Sequence, residues 1–208
     1  MTSNGLFPAN PDDTRTEILE ATYRALCEHG YDDLTIQKIG EQFGKSTSLV
    51  YHHYEGKDDL LVDFMGYMLE RFEADVPFED VEDPWSKLED VLDHALAPTL
   101  DAERENLTSA MIELRAQAAH DPAYREAFSR HDRFFHDRLA AIVSQGIDQG
   151  VFREVDPERV AALLQTTFNG AMMQRVTTDP DDGGVSVEDV RAELEAVLEA
   201  SLHLEDEE

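Results

Sequence analysis

Residues 35–57, TIQKIGEQFGKSTSLVYHHYEGK, constrain the fold more tightly than any other stretch of the chain. They read as two short helices around a turn. In the first, Ile36, Ile39, Gly40 and Phe43 fall at i, i+3, i+4 and i+7, one buried stripe, while Gln37, Lys38, Glu41 and Gln42 point outward. Gly44 stands where a tight turn between helices needs a positive φ. Ser46 is placed to cap the second helix through its hydroxyl. At about 100° per residue, Leu49, Val50, His53 and Tyr54 gather on one side of that helix, and Thr47, Ser48, Tyr51 and His52 on the other. One face is made to pack; the other reaches out with hydroxyls, a phenol and an imidazole. The pattern predicts a helix-turn-helix whose second helix enters a groove of DNA.

Charge agrees with that reading. Residues 35–57 carry three lysines against two glutamates, before His52 and His53 are counted. Residues 1–60 hold five basic and eleven acidic side chains, and residues 61–208 hold twelve and thirty-five. Phosphates would repel nearly every other part of this protein. Within the head, Lys57, with Lys38, Lys45 and Arg15, is expected to supply the phosphate-neutralising charge.

The spacing G-Y-x-x-L-T-I-x-x-I-x-x-x-x-G-x-S-x-x-x-V-Y-x-H-Y-x-x-K-x-x-L-L, from Gly30 to Leu61, resembles the DNA-binding head of the TetR (tetracycline-repressor-like) transcriptional regulators. By position, the resemblance implies that Gln37, Thr47, Ser48, Tyr51 and His52 face the major groove. It implies that Thr35, Tyr51, His53 and Lys57 reach phosphates, with Lys38, Lys45 and Ser46 completing the DNA-binding set. Ile36, Ile39, Val50 and Tyr54 would be core. The chain departs from the pattern in having no lysine or arginine on the second helix.

A net charge of −29 and only four lysines are extreme for a DNA-binding chain. Acidic residues run throughout, which suggests a protein of concentrated salt, where self-repulsion is screened, as in a halophile. Cys27 is the one cysteine, so no disulfide forms within the chain, and it is expected as a small buried hydrophobe on the first helix. Residues 1–12 lack the basic start and apolar run of a signal peptide. No stretch reaches the roughly 18 apolar residues that span a membrane. A cytoplasmic location is expected, with no membrane partner.

Further along, the chain marks its own helix starts. Residues 1–12 read as an arm, and Thr14 to Glu17 as a capping box opening a helix that ends at Gly30 and buries Ile18, Leu19, Thr22, Ala25 and Leu26. After Lys57 a fourth helix, with Leu60, Leu61, Phe64, Met65, Met68 and Phe72, is expected to link head to body. Asp83-Pro84, Asp121-Pro122 and Asp156-Pro157 each put an N-cap aspartate before a proline suited to the first helical position. Helices are predicted at about 84–99, 102–119, 122–148, 157–177 and 187–203, with a loop at 178–186, a frayed tail at 205–208 and no strands.

The fold expected is therefore all-α: a three-helix DNA-binding head of residues 1–57 and a helical effector-binding and dimerising body of residues 58–208. TetR-like regulators pair through their two C-terminal helices, and a reader of two half-sites needs a dimer. Leu164, Phe168 and Ala171 on one helix and Val190, Leu194, Val197 and Leu198 on the next are expected at that seam. The resemblance also implies a cavity for a small-molecule effector. Trp85, Leu88, Leu92, Met111, Leu114, Phe128, His131, Phe135, Phe168 and Met172 are the candidates to line it, although large apolar side chains also simply fill cores.

Three other constellations fail on spacing. Gly40-EQF-Gly44-Lys45-Ser46 has three residues between its glycines where a phosphate-binding loop has four, and a helix precedes it. His131 and His136 are five apart, about 140° out of phase on a helix, so no metal site is expected. No nucleophile with a paired base stands out among 46 carboxylates, so neither enzyme activity nor a cofactor is expected. The competing class is a helical carrier or enzyme that keeps the head only as packing; the hydroxyl-rich face of Thr47, Ser48, Tyr51 and His52 speaks against it. The expected function is a ligand-responsive dimeric repressor bound to double-stranded DNA at a palindromic operator.

Overall fold

The computed structural model describes residues 7, 8, 13–75, 83–179 and 185–203. The expected N-terminal arm lies almost wholly outside these residues, as do the middle of the 178–186 loop and the acidic tail. The described residues form nine α-helices: α1 (Thr14–Asp33), α2 (Ile36–Phe43), α3 (Thr47–His53), α4 (Lys57–Asp75), α5 (Pro84–Ala95), α6 (Ala102–Gln117), α7 (Pro122–Asp148), α8 (Pro157–Thr177) and α9 (Val187–Leu202). Among them the one β-type pairing is an isolated bridge between Phe152 and His203.

The caps explain most of these boundaries. Asp83, Asp156 and Ser186 each accept backbone N–H bonds from the first turn of their helix, and Asp121 accepts one from Ala123 at 2.8 Å. The cap of α1 is Asp13, one residue before the expected box, accepting from the Thr16 N–H at 2.8 Å. A carboxylate there answers the positive end of the helix better than a hydroxyl. The chain kinks at Gly30, where the regular part of α1 was expected to stop. Helix α5 ends at Ala95, short of the predicted 99, because Pro98 has no N–H and keeps Ala97 out of helical geometry. Beyond α6, the Arg125 guanidinium donates to the carbonyls of Ala118 and Ala119 at 2.9 and 3.1 Å.

The chain packs as two units: residues up to 73 with 102–129, and residues 74–101 with 130 onward. The functional division expected at 57/58 is therefore not the packing division. Leu60, Leu61, Phe64, Met65 and Met68 of α4 are wholly buried in the core of the first unit, together with Ile18, Leu19, Ile39, Val50, Leu107 and Leu114. Ile36, Ile39, Gly40 and Phe43 are the buried residues of α2, as their spacing requires. Cys27, expected inside, is exposed, one residue and about 100° past the buried Leu26.

The second unit has its own core. Leu88, Val91, Leu92 and Leu96 meet Leu139, Val143, Ala161, Leu164, Leu194, Leu198 and Leu202. Phe152 lies so close against Gly146 that a Cβ there would fall 2.0 Å from its ring. The Arg153 N–H donates to the Leu202 carbonyl at 2.9 Å and ties the end of α9 to the α7–α8 turn.

Candidate nucleic-acid interface and apolar cleft

Helix α3 is held at both its ends. Gly40 of α2 lets it approach closely: a Cβ there would sit 2.6 Å from the Thr47 hydroxyl. At its end, the Tyr54 hydroxyl donates to Asp63 of α4 at 2.6 Å. The same carboxylate takes a bidentate pair from Arg15 of α1, at 2.8 and 2.6 Å. One aspartate thus joins α1, the end of α3 and α4. Burial pushes the Asp63 carboxyl up, but the bonds from Arg15 and Tyr54 outweigh it and hold it below the usual carboxylate value. Burial first, and the Asp63 bond second, push the Tyr54 phenol up. Arg15 is held more firmly protonated by the same pair.

On the outward side, Ser48, Tyr51, His52 and His53 are exposed, Tyr51 by 61%, and Thr47 is half-buried. Gln37 of α2 is exposed as well. The sequence-expected packing side is narrower than four residues: Val50 and Tyr54 are buried, whereas Leu49 and His53 are exposed. A seven-residue helix resting on short neighbours has only a thin strip to cover. Thr35 and Ser46 act as caps, accepting from the Lys38 and Ser48 N–H groups at 3.2 and 3.3 Å.

The cations of the head have partners on the surface of the same chain. Lys38 Nζ donates to the Asp33 carbonyl at 2.8 Å, and Lys45 pairs with Glu17. Lys57 stacks over the Tyr31 ring at 4.5 Å and donates to the Tyr31 carbonyl at 3.3 Å. The phosphate-neutralising role expected of these lysines and Arg15 therefore competes with internal partners. The Tyr31 N–H, just past the kink in α1, donates to Glu113 of α6 at 2.7 Å. Sequence reasoning missed this brace, since the two residues lie 82 apart.

In the second unit, a cleft of about 190 Å³ opens between α5 and α9. Trp85, Leu88, Leu92 and Leu198 form its apolar surface, and Glu89, Asp93, Arg191, Glu195 and Glu199 its charged rim. The Trp85 indole N–H donates to Glu89 at 3.0 Å, while Arg191 bonds Glu195 at 2.7 Å and pairs with Asp93. Of the ten residues expected around an effector, Trp85, Leu88 and Leu92 meet here. Met111, Leu114 and Phe128 are buried in the core of the first unit. His131 and Phe135 contact each other edge-on at 4.7 Å, and with Phe168 and Met172 they are half-buried in the second unit, away from this cleft. No group of three His, Cys, Asp or Glu among the described residues is placed to hold a metal.

Most of the residues expected at a dimer seam lie in the interior of the single protomer. Leu164, Ala171, Leu194 and Leu198 are buried in the protomer's own core, and Phe168 and Val190 pack against that core. Only Val197 of that set is exposed, by 38%. The exposed apolar stripe of α8 lies one residue to the side: Leu163 (47%) and Met173 (52%), with exposed Thr166 and Gly170 between them. Its spacing is also 3-4, but it is less apolar, so the richer neighbouring stripe turned inward.

Residues 18–64 match the family model described as bacterial regulatory proteins, tetR family, and residues 84–205 match that of the BetI-type transcriptional repressor, C-terminal. The chain is 29% identical over 177 residues to the HTH-type transcriptional repressor AcnR of Corynebacterium glutamicum, covering 85% of this chain and 88% of that one. Among solved structures it is similar to a TetR transcription regulator from Haloarcula marismortui, with 39% identity, a TM-score of 0.81, and 91% and 98% of the two chains covered. A transcriptional regulator from Saccharomonospora viridis, solved in complex with choline, shares the fold at 23% identity and a TM-score of 0.78, over 94% of this chain and all of that one. No described helix is long and apolar enough to cross a membrane.

Proposed function

As the chain belongs to the TetR family of DNA-binding transcriptional regulators, we propose that it acts as a ligand-responsive dimeric repressor on a palindromic operator. The observation that carries this reading is the outward face of α3. Thr47, Ser48, Tyr51 and His52 offer hydrogen-bonding groups on a helix fixed to α2 by close packing and to α4 by Asp63. Such a face reads base edges in the major groove through Thr47 and Ser48 and uses Tyr51, with His52 at the end of the helix, on sugar and phosphate. Two copies related by a two-fold axis would present two α3 helices to two half-sites. Their pairing surface is the stripe of Leu163 and Met173 on α8 with Val197 on α9, apolar groups otherwise left in water.

An effector taken into the second unit would act on the head through the three places where the chain passes between units, at 73/74, 101/102 and 129/130. It would stabilise one arrangement of the two α3 helices over another and take them out of register with the grooves. Choline is the first compound to test, because a relative of the same fold was solved with it. The deciding experiment is selection of duplexes from a random library by the full chain in molar potassium chloride. A recovered palindrome supports the reading; recovery of no enriched sequence, from folded protein, overturns it.

A further inference from the structure

The head's cations leave an unusual remainder. Arg15, Arg24, Lys38, Lys45 and Lys57 all have partners within the protein. Among the described residues, His52 and His53, in the last turn of α3 beside Tyr51, have no hydrogen-bond or ion-pair partner; they touch each other edge-on at 5.8 Å, and His53 meets the Tyr54 ring at 6.2 Å. Both are exposed on the segment that carries the proposed reading face.

Charged groups on the surrounding elements do not occupy these imidazoles. On α2 and its turn these are Lys38, Glu41 and Lys45, and none of them pairs with either ring. After α3 come Glu55, Lys57, Asp58, Asp59 and Asp63. Of these, Lys57 is held by Tyr31, Asp63 by Arg15 and Tyr54, and Asp59 accepts the Glu55 N–H at 3.1 Å. A phosphate arriving at this end of α3 would meet two imidazoles able to take a proton and no competing anion bonded to them.

Histidine is the side chain whose charge changes most readily between about pH 5 and 8. An opposite charge within about 4–6 Å favours its protonated form by one or more pH units. We propose that His52 and His53 are proton-accepting phosphate contacts, so that operator binding takes up protons and tightens as pH falls. The inference rests on the DNA-reading face proposed above. The chain makes its positive charge at the interface only when DNA is there, and needs no fixed cation in an otherwise repelling surface. The sign follows from linkage: the bound state holds more protons, so affinity is highest at the acid end of the window and is lost as pH rises through it.

The test uses the full chain and an operator duplex recovered by selection with it. Titration calorimetry near neutral pH in two buffers of unlike ionisation heat counts the protons taken up, and affinity is followed from about pH 8 to about pH 6. Circular dichroism checks folding at each pH. The expected result is net proton uptake with at least about a tenfold gain in affinity across that range. His52→Gln with His53→Gln, which keeps hydrogen-bonding capacity without the charge, should abolish the uptake and flatten the profile. His53→Lys should bind tightly at the alkaline end with less uptake. Tight wild-type binding with no proton uptake would overturn this inference alone, as would uptake unchanged in the double glutamine variant. Absence of specific binding at every pH would overturn the DNA-reading face and this inference together.

Discussion

Asp63→Asn probes the joint that holds the reading helix. The wild-type carboxylate takes the Tyr54 hydroxyl at 2.6 Å and both arms of Arg15. A hydrogen bond to a charged acceptor contributes about 1.5–3 kcal/mol, and a neutral amide in its place recovers about 1. The Arg15 pair, with side chains 46% and 31% exposed, adds about 1 kcal/mol or less. The substitution should therefore cost about 0.5–3 kcal/mol, read as a fall of about 1–12 °C in the thermal midpoint of a chain this size. Because Tyr54 ends α3, operator affinity should also fall, by about tenfold for each 1.4 kcal/mol that reaches the bound state. Tyr54→Phe should cost less, since Arg15 still satisfies the aspartate. The pH dependence has a definite sign. The Asp63 carboxyl is held low, so its contribution is complete above the ordinary value of about 3.9 and disappears as pH falls through the lowered one. Wild-type protein should lose its advantage over the asparagine variant on acidification. An asparagine variant as stable as wild type at neutral pH would refute the joint.

Other expectations follow from the same geometry. Tyr51→Ala should remove most operator affinity without altering helical content or dimer, because Tyr51 is 61% exposed and has no core to disturb; unchanged affinity in a gel-shift titration would exclude that face as the reader. Leu163→Glu with Met173→Glu should yield a folded monomer in sedimentation, whereas Leu194→Glu should unfold the second unit, since a charge in its core costs several kcal/mol. Gly146→Ala should destabilise that unit by about 1–3 kcal/mol, as Phe152 must leave its place; denaturant unfolding measures it.

Local signals carried far in this chain. The Asp-Pro pairs named the starts of α5, α7 and α8, because a cap is a contact between near neighbours. The stripe of α2 was legible for the same reason, its period being written in eight residues. What required the structure was contact across long separations or a choice between near-equal alternatives. Lys45 finds Glu17 28 residues away and Lys57 finds Tyr31 26 away, so the sequence displays three lysines in the head but not that they are engaged. Leu163 and Leu164 differ by one residue and about 100° in phase, and nothing local says which of them a core will claim. The cleft joins α5 to α9 across about a hundred residues, and its Arg191 and four carboxylates left no sequence signal among so many acids.

The central claim is that α3 recognises DNA mainly through hydrogen-bonding and stacking groups, on a protein whose charge otherwise opposes the encounter. Ordinary DNA-binding proteins lose affinity with salt, by a slope of about −0.9 in log K against log salt for each phosphate neutralised. Here the head's lysines are already engaged, and −29 charges per chain repel the duplex through a field that salt screens, with a Debye length of about 3 Å at 1 M. Contacts to base edges do not depend on ion release. The direct measurement is operator affinity from about 0.2 to 2 M potassium chloride, near pH 8 and with folding checked at each point. The account predicts specific binding that is flat or improves with salt. A steep fall, from protein folded throughout, would contradict it and assign recognition to phosphate neutralisation instead.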